Sequence, residues 1–163
     1  MNKEQEFSSL YKEYAPGILK LCLGYTGDAT IAEDYVQDTF ITVWNNMEKF
    51  RRDASWSTWI YRIAVNICLA DLRKKKQVTI KLEPDHFSHL RDQPDNKEQQ
   101  VQLLYGCISK LPETDRLIIT MVLEDKEYSE IASIIGITQN NLGVKIHRIK
   151  KELTEIFNQY EGF

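Results

Sequence analysis

Amide and cationic side chains near the end of the sequence are of the types that read nucleic acids. Leu142, Ile146 and Ile149 recur at helical spacing, so the polar residues between them lie on an opposite, exposed face. Asn and Gln can pair with adenine through two hydrogen bonds, and Lys and Arg can contact phosphates. The candidates are Thr138, Gln139, Asn140, Asn141, Lys145, Arg148 and Lys150.

The elements that must position these residues have the order of a helix-turn-helix. Ser129 can cap a short helix that buries Ile131 and Ile135, Gly136 makes the turn, and Thr138 can cap the last helix. A unit of this kind inserts its second helix into a major groove. Two ordinary helices with a solvated polar face remain the alternative, because helical hairpins are common.

A second group of cations stands out against an acidic average. The net charge is −3, yet residues 51–76 hold seven basic and two acidic residues, which gives +5 there and −8 elsewhere. Arg62, Asn66 and Arg73 lie on one polar helical face beside several aromatic residues. Cations next to aromatic rings suit unpaired bases. Alternatively, Trp59 belongs to the core and the terminal lysines complement the helix dipole.

A third group is acidic. Asp28, Glu33, Asp34 and Asp38 occur without a Lys or Arg between Asp28 and Phe40. A face rich in carboxylates can dock a basic protein surface or can simply be solvated. From these residues alone, a solvated face is the better interpretation.

The rest of the sequence predicts an all-α protein of two small helical domains. Apolar residues recur at helical steps along most of the chain, and strand patterns are nearly absent. The helical periodicity of apolar residues is lost in the segment that contains Pro84 and Pro94, which indicates a flexible linker. We therefore expect an N-terminal bundle over 1–76, a linker over 77–97, and a helix-turn-helix domain over 98–163.

Turn and capping residues predict several helix boundaries. Gly24 and Gly27 are expected to end the first helix, and Asp28 to cap the second. Pro112 fits the first turn of a later helix, where its missing N–H has no cost.

The sequence offers no sign of catalysis or metal binding. It lacks a glycine-rich phosphate loop, and no C-x-x-C pair occurs. Cys22, Cys68 and Cys107 are expected to be buried free thiols of a reducing compartment. No signal peptide or membrane-spanning run is visible. We expect a cytoplasmic protein that is not an enzyme and needs no cofactor or metal.

Three runs resemble regions of bacterial RNA polymerase sigma factors, in the same order and spacing. Residues 32–44 resemble the helix that binds core polymerase, and residues 57–68 resemble the helix that melts promoters. The promoter-binding helix-turn-helix is matched by Leu111–Pro112 with Arg116, Glu130–Ala132, Gly136–Ile137 and His147–Lys150. The short length and two domains are typical of the extracytoplasmic-function (ECF) subfamily.

The resemblance implies roles that the residues alone leave open. The residues expected to bind core polymerase are Asp34, Gln37, Asp38, Phe40 and Trp44. Those expected at the minus-ten element are Arg51, Arg52, Ser55, Arg62, Asn66, Arg73 and Lys74. The amides and cations from Thr138 to Lys150 would read the minus-thirty-five element. Gly143 departs from the family pattern, which usually has a polar or basic residue there, and Tyr35 replaces an aliphatic one.

The resemblance also implies the partners. They are core RNA polymerase, through its clamp helices and flap, promoter DNA, and an anti-sigma factor that is free or membrane-bound. The protein would be a monomer without a small-molecule substrate. Two other functions fit the residues: a stand-alone helix-turn-helix regulator, which binds its operator alone, and a helical adaptor, which ignores DNA.

Overall fold

The computed structural model describes residues 2–75 and 96–161, and every regular element within them is helical. The elements are α1 (Lys3–Thr26), α2 (Ala29–Asn46), a 3-10 turn (Met47–Lys49), α3 (Trp56–Lys75), α4 (Asn96–Ile108), α5 (Glu113–Leu123), α6 (Tyr128–Ile135) and α7 (Gln139–Glu161). The all-α prediction is confirmed. The predicted linker over 77–97 lies outside the described residues, except that its last two positions begin α4.

The capping prediction for α2 is confirmed, whereas one glycine prediction for α1 is wrong. The Asp28 carboxylate accepts hydrogen bonds from the backbone N–H groups of Thr30 and Ile31, at 2.9 and 3.1 Å. Gly27 ends α1 in the left-handed region, with φ of 69°. Gly24 lies inside α1, because a glycine also serves where two helices approach closely.

Helices α1, α2 and α3 bury one face each in the N-terminal half. Ile18 and Leu21 of α1, Val43 of α2 and Ile60 of α3 belong to one core, and all four are completely buried. Buried positions recur every three or four residues along a helix, as at Val36, Phe40 and Val43 of α2, so each helix turns an apolar stripe inward. The polar residues between them are left on the outside.

Helices α6 and α7 form the predicted helix-turn-helix. Gly136 ends α6 with φ of 86°, and the Thr138 hydroxyl accepts a hydrogen bond from the N–H of Asn141 at 3.1 Å. The capping prediction for Thr138 is therefore confirmed. The one for Ser129 is wrong, because α6 begins at Tyr128 and Glu127 holds the capping position without a side-chain bond.

The two helical groups pack into one continuous hydrophobic core. Helix α1 lies against α5, and α3 lies against α6. The approach of α5 depends on Gly24, since a Cβ there would collide with the Thr120 side chain. Beside this contact the Arg116 guanidinium lies 5.1 Å from the centre of the Tyr25 ring. The sequence leaves open whether the two groups touch; in the structure they do.

Replacing Gly24 with alanine should weaken this packing. We expect Gly24→Ala to lower the free energy of unfolding by about 1–3 kcal/mol, the usual effect of overpacking. Gly106→Ala is the matched control, because a Cβ at Gly106 would meet nothing within 4 Å. It should be neutral or stabilising by up to about 1 kcal/mol. Urea unfolding of both variants measures this, and equal destabilisation would contradict the close α1–α5 contact.

Candidate functional site

The outer side of α2 is acidic and open to solvent. We define the acidic face as Glu33, Asp34, Gln37 and Asp38, all of which are exposed. The residues between them turn inward, since α2 buries a stripe that includes Tyr35. No lysine or arginine of α2 neutralises this face, because α2 contains none. It can therefore attract a basic partner surface.

Two aromatic residues predicted to contact polymerase lie elsewhere. Phe40 is only 3% exposed and packs against the rings of Phe7 and Tyr11, with centroids 6.2 and 4.8 Å apart. Trp44 is half-buried, between the Phe7 ring at 5.3 Å and the Lys3 ammonium at 4.2 Å. Phe40 therefore has almost no exposed surface with which to touch a partner directly. Both side chains hold α2 against α1 from behind the acidic face.

The segment before α3 presents cations beside aromatic rings. Arg51 and Arg52 are exposed, and Arg52 has a positive φ of 57°. The Phe50 ring stacks at a tilt near Trp56 and Trp59, with centroids 4.3 and 4.8 Å away. The Ser55 hydroxyl accepts a hydrogen bond from the N–H of Thr58 at 3.1 Å and so caps α3. This capping role is sufficient to explain a serine at position 55.

A shallow cavity of about 280 Å³ lies next to these rings. It opens between α2 and α3, and its lining combines apolar and hydrogen-bonding groups. The lining residues are Thr42, Asn46, Lys49, Phe50, Trp59 and Ile63. An amide, an ammonium and two aromatic rings around one cavity can accept a flat polar ring such as a base.

The outer face of α3 is divided between solvent and α6. Arg62 and Asn66 are both exposed, as their spacing predicts. However, the Arg62 Nε donates a hydrogen bond to the backbone carbonyl of Ser133 at 3.0 Å. The structure thus brings Arg62 to the helix-turn-helix, which sequence reasoning did not anticipate. The side chains of Arg73 and Lys74 lie outside the described residues.

Polar groups bridge α3 and the α5–α6 segment. We call this set the domain junction: Ser57, Tyr61 and Arg62 on one side, Glu124, Lys126, Glu130 and Ser133 on the other. The Ser57 hydroxyl bonds to the Glu130 carboxylate, and the Lys126 ammonium lies 3.1 Å from the Ser57 hydroxyl and 3.4 Å from the same carboxylate. The ammonium is also 3.7 Å from the centre of the Tyr61 ring. These contacts fix α3 against α6.

Burial shifts the pKa of the central pair of the domain junction. The Tyr61 hydroxyl donates to the Glu124 carboxylate at 3.0 Å. Burial, and then the nearby Glu124 charge, raise the pKa of Tyr61. Burial also raises the pKa of Glu124, although the Tyr61 hydrogen bond opposes that change. The domain junction therefore holds a carboxyl group, that of Glu124, whose burial disfavours the ionised form.

The outer face of α7 carries the predicted amides. Gln139, Asn140 and Asn141 are exposed at the start of the helix, and Lys150 is exposed about three turns after Gln139. Lys145 is only half-exposed.

Arg148 is bound within its own domain. Its guanidinium lies 3.3 Å from the carboxylate of Asp115, which is 4% exposed. The Arg148 side chain keeps 59% of its surface exposed, so it offers solvent one side of the guanidinium.

Sequence reasoning missed two exposed residues on α7, Val144 and Lys151. Val144 follows Asn140 by four residues and Lys151 follows Val144 by seven, so the three share one side of the helix. That spacing was available in the sequence. Val144 is easily overlooked because apolar residues on a helix are usually assigned to the core.

The three cysteines lie in helices α1, α3 and α4. Cys22, Cys68 and Cys107 are free and buried, as expected. A hydrogen bond with Cys22 and burial raise the pKa of Cys68, and burial raises the pKa of Cys107, which keeps both of these thiols in the protonated form. Within residues 2–75 and 96–161, no group of three or more His, Cys, Asp or Glu residues could hold a metal ion. No helix in those ranges is long and apolar enough to cross a membrane.

Comparison with known proteins places this arrangement in a family. Residues 10–78 match the family model of sigma-70 region 2, and residues 102–153 match that of sigma-70 region 4. The chain is similar to the ECF RNA polymerase sigma factor SigM of Bacillus subtilis, with 26% identity across 92% of this chain and 94% of the relative. The chain belongs to the ECF sigma factors. Region 2 thus contains the acidic face and the cavity, and region 4 contains the helix-turn-helix.

Solved structures share the fold of this sigma factor. One is the sigma factor RpoE in complex with the anti-sigma factor NepR from Bartonella quintana, with a TM-score of 0.76 and 18% identity over 94% of this chain and 98% of that chain. Another is CnrH in complex with the cytosolic domain of CnrY, with a TM-score of 0.71 and 19% identity over 96% and 90%. Both matches extend over regions 2 and 4 together.

Glu124 should make the stability of the sigma factor depend on pH. Because its pKa is raised in the folded state, the folded protein keeps a proton that the unfolded chain releases near the ordinary value of 4.5. The free energy of unfolding therefore falls as pH rises from that value to the raised pKa. Glu124→Gln should flatten this fall. Urea unfolding between about pH 4 and 8 measures it.

Glu155→Gln is the control, because Glu155 is exposed near the end of α7. It should keep the wild-type pH profile. Identical profiles for the wild type and Glu124→Gln would show that this carboxyl group does not titrate abnormally.

Proposed function

We propose that this sigma factor binds core RNA polymerase and gives it promoter specificity, strand opening included. The observation that carries the proposal is the occurrence of sigma-70 regions 2 and 4 in one chain, each with an exposed polar surface of the required kind. The region 2 surface combines the acidic face with a cation-flanked cavity, and the region 4 surface is the outer side of α7.

The acidic face supplies the contact with core polymerase. Asp34, Gln37 and Asp38 are exposed and lie on one rigid helix, so they can dock together on a basic surface such as the clamp helices. Phe40 and Trp44 support this contact indirectly by fixing α2 against α1. Region 4 would contact the polymerase flap.

The cations and the cavity of region 2 serve the minus-ten element. Arg51 and Arg52 reach phosphates, and a base flipped from the stack enters the cavity beside Phe50 and Trp59. Flipping has a free-energy cost of a few kcal/mol, which stacking and hydrogen bonds in the cavity offset. Asn66 lies one turn beyond Arg62 on the exposed face of α3. Arg73 and Lys74, whose side chains lie outside the described residues, would add phosphate contacts, and Ser55 caps the start of α3.

Region 4 reads the minus-thirty-five element with α7. Gln139, Asn140 and Asn141 lie at the end of the helix that enters the major groove first, and Thr138 caps it. Lys145, Arg148 and Lys150 contact phosphates. The ion pair with Asp115 holds Arg148 in a defined orientation, so its free side can meet a phosphate.

Promoter binding requires the domain junction to open. Arg62 is bonded to the backbone of α6, and α6 itself must lie along the DNA backbone for α7 to enter the groove. The two surfaces therefore become fully available only when α3 and α6 separate. The binding free energy of core polymerase would supply the difference between the two arrangements.

The remaining partners and the location follow from the same proposal. Because the structurally similar RpoE was solved in complex with the anti-sigma factor NepR, an anti-sigma factor is proposed here too, free or membrane-bound. The sigma factor acts as a monomer in the cytoplasm, where polymerase is found. It is not an enzyme and needs no cofactor or small-molecule substrate, since polymerase forms the phosphodiester bonds.

Transcription by purified core polymerase tests the proposal. A pool of genomic promoter fragments should yield specific transcripts only when the sigma factor is added. Asp38→Arg should weaken binding to core at least about tenfold, or 1.4 kcal/mol, because it places a cation against a basic surface. Glu155→Arg is the matched charge reversal on exposed α7 surface and should bind like the wild type.

Two results would contradict the proposal. Tight binding to duplex fragments without core would indicate a stand-alone regulator, and indifference to DNA with and without core would indicate an adaptor. Unchanged core affinity of Asp38→Arg would remove the acidic face from the polymerase contact.

Strand opening should depend on the outer face of α3. We expect Arg62→Ala and Asn66→Ala to reduce open-complex formation about tenfold or more without a matching loss of core affinity, since neither residue belongs to the acidic face. Arg62→Ala also removes a bond of the domain junction, so its core affinity should stay the same or rise. Permanganate reactivity of unpaired thymines measures opening, and competition binding measures core affinity. Equal losses in both would assign these residues to polymerase binding instead.

A further inference from the structure

An apolar side chain occupies the middle of the exposed face of α7. Val144 is 72% exposed, more than any other large hydrophobic residue among those described. It lies one turn after Asn140 and one turn before Arg148, between the amides and the cations proposed to contact DNA. Its neighbours Leu142 and Ile146 are buried, so Val144 is not part of the core stripe.

The fold gives no reason for this residue. Gly143 and Val144 are two poor helix formers in succession, at positions where packing does not decide the choice. A Cβ added at Gly143 would meet nothing within 4 Å, so no close contact demands glycine there. Gly143 and Val144 thus lower the helix propensity of α7, and no contact inside the molecule compensates for this. A contact with another molecule is the physical alternative.

The charge around Val144 identifies that molecule. From Gln139 to Lys151 the helix carries Lys145, Arg148, Lys150 and Lys151 without one acidic residue. This surface complements a polyanion and would repel basic proteins. Within a major groove flanked by phosphates, the apolar group offered by the bases is the 5-methyl group of thymine.

We propose that Val144 is a specificity residue that contacts the methyl group of one thymine in the minus-thirty-five element. The inference rests on the proposed function and names one base that region 4 selects. Gly143 contributes by its missing side chain, which leaves the flank of α7 free to lie close to the groove wall. The amides at the start of α7 then specify adenines, and Val144 specifies the neighbouring thymine.

A double-mutant cycle between protein and DNA tests this contact. Holoenzyme first selects promoters from a library with a randomised minus-thirty-five element, and each selected thymine is then replaced by deoxyuridine, which lacks only the methyl group. At one position the replacement should lower holoenzyme binding about fourfold, the value for burying one such carbon. Val144→Ala should lose a similar factor on the thymine promoter and show no further loss with deoxyuridine.

Two variants serve as controls. Val144→Thr keeps a methyl group and should retain most of the response to thymine. Val101→Ala changes an exposed valine of α4 and should leave the deoxyuridine pattern as in the wild type. Val144→Ala removes no core contact, so circular dichroism should show an unchanged helical content.

The outcomes separate this inference from the proposed function. If holoenzyme selects promoters but the losses from Val144→Ala and deoxyuridine simply add at every thymine, the thymine contact is overturned and the sigma-factor function stands. If holoenzyme selects no sequence at all, both are overturned.

Discussion

The close approach of α1 and α5 at Gly24 is the constraint on which the arrangement of this sigma factor depends. Without a Cβ between Gly24 and Thr120, the helices of region 4 can settle on those of region 2 and share one apolar core. The domain junction forms beside this contact, and there Tyr61, Glu124 and Lys126 exchange polar contacts at partly buried positions. A carboxyl group with a raised pKa makes this junction less stable than apolar packing would be, which suits a contact that must open.

The polar surfaces of the sigma factor are placed by buried residues behind them. Phe40 and Trp44 hold the acidic face of α2, and the nearly buried Asp115 orients Arg148 on α7. Each surface therefore rests on a rigid helix whose opposite side is core, which limits the entropy lost on binding. Such support explains why aromatic residues near a binding surface need not touch the partner.

Local patterns predicted most of the elements and many of the surfaces. The apolar period of three and four residues placed the helices, and Asp28 and Thr138 were recognisable as caps because their carboxylate and hydroxyl bond to backbone only a few residues away. The exposure of Asp38 and Asn66 follows from the same period. Gly24 was misread because glycine serves both as a helix end and as a close-contact residue, and only the neighbouring helix distinguishes the two. Ser129 was wrongly predicted as a cap because serine favours capping positions, and the sequence does not show that α6 already begins one residue earlier, at Tyr128.

What the sequence by itself determined is the helical class, the order of regions 2 and 4, and the chemical character of each helix face. These depend on interactions between residues a few positions apart, which leave a periodic trace. Only the tertiary structure decided that the two regions pack together at Gly24 and Thr120 and that Arg62 bonds to Ser133 of α6. Those outcomes depend on contacts between residues about 70 or more positions apart and on the shape of both partners, and no local spacing records them.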